Sequence, residues 1–210
     1  MKKNFLTIII ALLFFSCQKT LEDFSDLKDL FAYLENPENG LAKEKTINNV
    51  RVKVKYLPSE YMMIKDNPGV LSDNKTVDSL MEGYNRNLYL LVSFEPATEQ
   101  TGDVVYEGLS DYREYSQRMN NLNFKMDGQF FINDGKTKHY AVSAGFENVY
   151  SLKDSRELLL IFRNRDMFME LDRIDLVYED NVFETGINHY VFMVQDIKKL
   201  PKINFEKLRI

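Results

Sequence analysis

The sequence predicts an α+β domain, mainly strand with inserted helices and folded as an antiparallel β-sandwich. Three observations carry that expectation. Apolar or alternating runs of strand length recur roughly every ten to fifteen residues, separated by turns rich in Gly, Asn, Asp and Pro. Tyr and Phe are abundant, at 12 and 15, while Trp is absent. Together with the β-branched residues this favours strands. The strand–helix alternation of a parallel doubly wound sheet is missing.

The first seventeen residues, MKKNFLTIIIALLFFSC, stand apart from everything that follows. Lys2 and Lys3 open the segment, an apolar run extends from Phe5 to Phe15, and Ser16 then precedes Cys17, the single cysteine. Positive charge at the amino end is retained on the cytoplasmic side. An eleven-residue helix rises roughly 16 Å, about half a hydrocarbon core, so the run fits an export h-region better than a lasting span. The segment resembles a bacterial lipoprotein signal peptide. Ser16-Cys17 matches the small-residue–cysteine end of the lipobox, although Phe14 stands where that class usually has leucine. The resemblance covers the export segment alone. It implies that residues 1–16 are removed and that Cys17 becomes a lipidated first residue. Each buried acyl methylene contributes roughly 0.8 kcal/mol, so more than one chain makes the anchor effectively permanent. Gln18 stands where aspartate is associated with inner-membrane retention, which leans the expectation toward the outer membrane.

Without residues 1–16 the 27 basic side chains lose Lys2 and Lys3, leaving 25 against 32 acidic ones, a net charge near −7. An acidic surface argues against nucleic acid or anionic lipid headgroups as partners. With Cys17 consumed by lipid, neither thiol nor disulfide remains, and about 190 residues suffice for one domain held by its core. The expected organisation is therefore a signal peptide at 1–16, a lipidated tether with a short helix at 17–45, and one β-rich domain at 46–210.

Along the tether, Leu21, Phe24, Leu27, Leu30, Phe31 and Leu34 recur at helical spacing. They predict an amphipathic helix from Thr20 to Glu35, capped by Thr20 and stopped at Asn36–Gly40. Its apolar face could dock a partner or pack on the body of the domain, and packing is the expectation. Thr46 to Leu57 reads as the clearest strand, with Val50, Val52, Val54 and Tyr56 inward and Arg51, Lys53 and Lys55 outward. That basic triplet could meet an anion but reads as a solvated face. Residues 59–65 are apolar and ambiguous between a helical turn and a strand. Val77, Leu80, Met81 and Tyr84 predict a short helix, and Asn87 to Glu95 a central strand ending at Pro96. Leu109, Tyr112, Tyr115 or Ser116, Met119 and Leu122 predict a helix from about Gly108, with Arg113, Glu114, Gln117, Arg118 and Asn121 on its outer face. Beyond it, Phe130 to Asn133 and His139 to Phe146 form an expected hairpin around Asp134-Gly135. Strands follow at 158–162, 173–178, 189–197 and 203–208.

Chemistry is sparse. His139 and His189 each lie in an expected strand without a second ligand at metal spacing, so neither a metal nor a cofactor is expected. Gly135-Lys136-Thr137 lacks the glycine a phosphate loop requires, since Phe130 stands there. Ser143-Ala144-Gly145 lacks the glycine two residues before the serine of a nucleophile elbow. Asp172, Asp175 and Asp180 follow strand alternation and a turn rather than a calcium loop. Tyr106, Tyr112 and Tyr115 could form an aromatic binding patch, although the last two read as the packed face of the helix. No catalytic residue is assigned. The expectation is a membrane-anchored, non-enzymatic subunit binding another envelope protein; the alternative is a surface lipoprotein binding a glycan or peptide.

Overall fold

Alternation of valine with basic residues makes Val50–Leu57 a strand (β3) with Val50, Val52, Val54 and Tyr56 buried on one face. In the computed structural model, which describes residues 23–69, 71, 74–98, 103–146 and 155–208, β3 pairs on both sides. One neighbour is Asn87–Pro96 (β4) and the other is Ala42–Ile47 (β2). The signal segment, Cys17, Gln18 and the Thr20 cap lie outside the described residues.

The expected strand 46–57 is thus two strands. Asn48 and Asn49 take φ of 49° and 64°, the left-handed pair that a two-residue hairpin turn demands. Asparagine tolerates that region better than most residues, and the turn reverses the chain after Ile47. The helix expected from Thr20 is also shorter. Asp26 accepts from the Lys28 N–H at 2.8 Å and starts helix α1 at Leu27–Glu35. Phe24 belongs instead to a two-residue strand, Asp23–Phe24 (β1), paired parallel with Lys202–Ile203 (β11). The last strand therefore ends at Ile203, because the Asn204 side chain turns the chain by accepting from the Lys207 N–H.

Leu30 and Leu34 of α1 are buried in the same core as β3, and Lys53 and Lys55 both reach Glu35 on that helix. The packed alternative for this helix is the one observed, and β2 straddles the expected boundary at residue 45. Burial alone would raise the Glu35 pKa, but the two lysines overrule it and hold the carboxyl below its ordinary value. Arg51 lies 3.5 Å from Glu44 and 3.7 Å from Glu95, so the basic triplet is engaged within the fold.

Ser59–Asp66 (α2) and Asn74–Tyr84 (α3) follow β3, then β4, then Tyr112–Phe124 (α4). The next strands are Phe130–Asn133 (β5), Lys138–Tyr140 (β6), Ser143–Phe146 (β7) and Arg156–Arg163 (β8). Arg165–Met169 (α5), Arg173–Glu179 (β9), Ile187–Met193 (β10) and Val194–Lys198 (α6) complete the body before β11. Helix and strand each take about 36% of the described residues, so the chain is mixed α+β rather than mainly β. The strand expected at 189–197 stops at Met193; Val194 and Ile197, three apart and both buried, suit a helical turn.

Two antiparallel sheets, neither closed, contain most of the strands: β2-β3-β4-β8-β7 and β10-β9-β5-β6. The expected strand from His139 to Phe146 is broken between them. The Ala141 N–H donates to Phe130 O in the four-stranded sheet, and the Val142 N–H donates to Ile161 O in the five-stranded one. Consecutive amides thus pass the chain from one sheet to the other. Phe94 on β4 meets Tyr178 of β9 at 5.8 Å and Phe183 at 5.1 Å between ring centroids, within one contiguous core.

Gly40 closes the 3-10 turn after α1 with φ of 70°, and a Cβ there would stand 2.7 Å from Asp196 Oδ2 on α6. Gly40→Ala is expected to lower stability by about 1–2 kcal/mol, read as the urea midpoint. An unchanged midpoint would mean that Asp196 swings away without cost.

Candidate binding surface

Helix α4 begins where Asp111 Oδ1 accepts from the Glu114 N–H at 2.9 Å. Glu114 Oε2 accepts in return from the Ser110 N–H and hydroxyl at 2.8 and 2.9 Å, a reciprocal cap that fixes the first turn. Tyr112 and Tyr115, three apart, then share one flank. Tyr106 joins them from a 3-10 turn, Val104–Tyr106, that Asp103 caps through the Val105 N–H.

The Tyr106 and Tyr115 rings stack at 4.9 Å between centroids with 6° between planes, and Tyr112 lies 5.9 Å from Tyr115. Tyr106 is 57% exposed and Tyr112 80% exposed. The expectation that Tyr112 packs on the sheet is therefore corrected: the reciprocal cap turns it to solvent, and Leu122 supplies the buried contact of this helix. A hydrogen bond with Tyr106 raises the Tyr115 phenol above its ordinary pKa. The three rings, with Leu109, Ser110 and Asp111, line a cleft of about 340 Å³.

A larger polar groove of about 540 Å³ adjoins this cleft at Leu109. It lies between the Asn48–Asn49 turn, one flank of α4, and residues 181–184. Arg118, expected on the outer face of the helix, is half-buried here. Its Nη1 donates to Val105 O at 3.1 Å and Glu107 O at 2.5 Å, and its guanidinium lies 5.2 Å from the Phe183 ring centre. Burial draws its pKa down, against the carboxylates of Asp180, Glu184, Glu114 and Glu107. Asn48 Nδ2 donates to Glu184 O at 2.9 Å, and Asn49 Nδ2 to Glu107 Oε1 at 3.3 Å, tying the groove walls together.

Asp180 organises the far wall. Its carboxylate accepts from the Tyr178 hydroxyl at 2.6 Å, from the Val182, Phe183 and Thr185 N–H groups, and from the Thr185 hydroxyl at 2.7 Å. This cage holds Glu184 at φ of 58°, a region uncommon for a glutamate.

The other residues marked in the sequence are dispersed. His139, on β6, has Nε2 2.8 Å from Asp134 Oδ2 and its ring edge-on to Phe168, so it braces the turn that Asp134 begins. That contact and the Thr137 and Lys136 N–H groups hold the Asp134 carboxyl at about 2. His189 Nδ1 faces Asp175 at 3.0 Å on a sheet surface. Among the described residues, no group of three His, Cys, Asp or Glu could hold a metal ion, and no helix is long and apolar enough to cross a membrane.

No family model and no curated protein matches the sequence. Among solved structures, a protein of unknown function from Burkholderia pseudomallei K96243 aligns over 87% of this chain and 91% of its own. Identity is 9% and the TM-score 0.36, too distant a likeness to bear on function.

Proposed function

We propose that this chain is a lipid-anchored, non-enzymatic interaction subunit of a cell-envelope assembly, held at a membrane, the outer more than the inner, through lipidated Cys17. The opening segment supports the anchor: paired lysines, a short apolar run and Ser16-Cys17. The observation that carries the interaction is the tyrosine surface. Large aromatic side chains exposed close together are what protein interfaces use as anchors, and Tyr106 and Tyr112 both turn more than half their surface to water. The two sheets are read as layers of an antiparallel sandwich, with Phe94 and Tyr178 meeting between them. Such layers would hold the surface rigid at the end of a lipid tether.

Metabolic labelling with palmitate in wild type and Cys17→Ala tests the anchor, with label expected in the first and absent from the second. Label retained by the mutant would remove the anchor from the account. Crosslinking in cells tests the assembly, with a reproducible envelope partner expected and a bare monomer counting against it. The second reading, a surface binder of a glycan or peptide, draws on the polar groove beside the tyrosines, where Gln117 and Asn121 offer donors and acceptors together.

A further inference from the structure

The chemistry around the tyrosines is one-sided. Asp111 stands in the wall of the aromatic cleft, and Glu107, Glu114 and Glu184 stand in the groove that meets it at Leu109. Among the described residues lining the two walls the one cation is Arg118, and it is engaged inside the fold. Arg118 donates to two backbone carbonyls and lies against Phe183, and Arg156, behind the tyrosines, pairs with Asp103. Asp111, Glu114 and Glu107 accept hydrogen bonds within the fold yet keep their negative charge, so an anionic partner would find four carboxylates and an enclosed guanidinium. A cationic one would find exposed aromatic faces, which attract ammonium and guanidinium groups through the ring quadrupole, and carboxylates beside them.

We propose that the Tyr106–Tyr112–Tyr115 cleft and the adjoining carboxylate-lined groove bind a basic peptide segment of a partner protein. The proposal rests on the interaction-subunit reading and names the chemistry of its partner. A lysine or arginine side chain lies across the open faces of Tyr106 and Tyr112, with its charge toward Asp111. The following residues run along α4 past Glu114 and Glu107, and the Gln117 and Asn121 amides meet the peptide backbone. A peptide suits the site better than a free cation because two clefts joined at Leu109 offer consecutive subsites rather than one cage. The acidic balance of the whole chain, at −5, adds a long-range attraction of the same sign.

The test titrates the full chain in detergent micelles with a fluorescein-labelled peptide of alternating arginine and glycine. A glutamate–glycine peptide and a neutral N-acetylglucosamine oligomer are titrated in parallel. Saturable binding of the basic peptide is expected, weakening as salt rises. Tyr106→Ala/Tyr112→Ala is expected to weaken it by about tenfold or more, since both rings are exposed and their loss leaves the core untouched. Glu107→Gln/Asp111→Asn/Glu114→Gln removes the charge while Asn preserves the helix cap, and is expected to abolish the salt dependence. Basic-peptide binding that both variants retain, or no binding at all, overturns the proposal. Saturable binding of the oligosaccharide on the same tyrosines, with the peptide blank, overturns it in favour of a glycan site. None of these readouts depends on the lipid or on capture in cells, so their failure is distinct from failure of the anchored-subunit reading.

Discussion

Phe94→Ala is expected to destabilise the domain by about 3–5 kcal/mol, the range for removing a buried aromatic ring from a packed core. Phe94 has no exposed surface and touches Tyr178 and Phe183, so it joins β4 to β9 and to the loop that walls the groove. The loss combines the transfer energy of the ring with a cavity that sheets hydrogen-bonded on both sides of β4 cannot close. In a domain of this size it should lower the melting temperature by on the order of 10 °C. Equilibrium unfolding in urea measures it, with Phe94→Leu as the milder comparison. A loss below about 1 kcal/mol would mean that the sheets do not depend on this contact.

How far the sequence reveals this arrangement depends on whether a feature is periodic or local. Periodicity identified the inward valines of β3, the apolar run of β4 and the core positions of α3, since each reflects one face against one core. Boundaries were lost where a single side chain decides them. Asn48-Asn49 is a turn signal hidden inside an alternating run, and only the φ values separate one long strand from a hairpin. The passage from β6 to β7 is invisible because the residues continue a strand pattern while the partner sheet changes. The binding surface is half legible: its three tyrosines stand close in the sequence, and helical spacing puts Tyr112 and Tyr115 on the packed face, which holds for Tyr115 and fails for Tyr112. The first turn that exposes Tyr112 is set by Asp111 accepting from the Glu114 N–H and Glu114 accepting from Ser110, a short-range pattern that apolar spacing does not register. Helical spacing puts Arg118 in solvent for the same reason, since its acceptors belong to residues 105 and 107, before the helix begins.

Asp180→Ala is the second large expected effect, about 3 kcal/mol, because it strands donors that folding has already removed from water. Tyr178 is fully buried and Thr185 nearly so, and both hydroxyls donate to this carboxylate. The pH dependence separates this mechanism from simple packing loss. Burial alone would raise the Asp180 pKa, but the hydrogen bonds from Tyr178, Thr185 and the Phe183 and Thr185 N–H groups outweigh it and hold the group below the ordinary value of 3.8. A carboxyl with a depressed folded-state pKa binds protons more readily when unfolded. Its stabilisation is therefore complete above the ordinary value and is lost as pH falls through the depressed one. Wild type should lose urea resistance across that acid window, and Asp180→Asn should show a shallower slope there after an initial loss of about 1–2 kcal/mol. Equal acid slopes in the two proteins would assign the sensitivity to other carboxyls, Asp134 first. The Asn variant should also relax Glu184 from its left-handed backbone and loosen Phe183 beneath Arg118. The far wall of the groove would then widen while the tyrosine cleft, built from α4 and its own caps, keeps its shape.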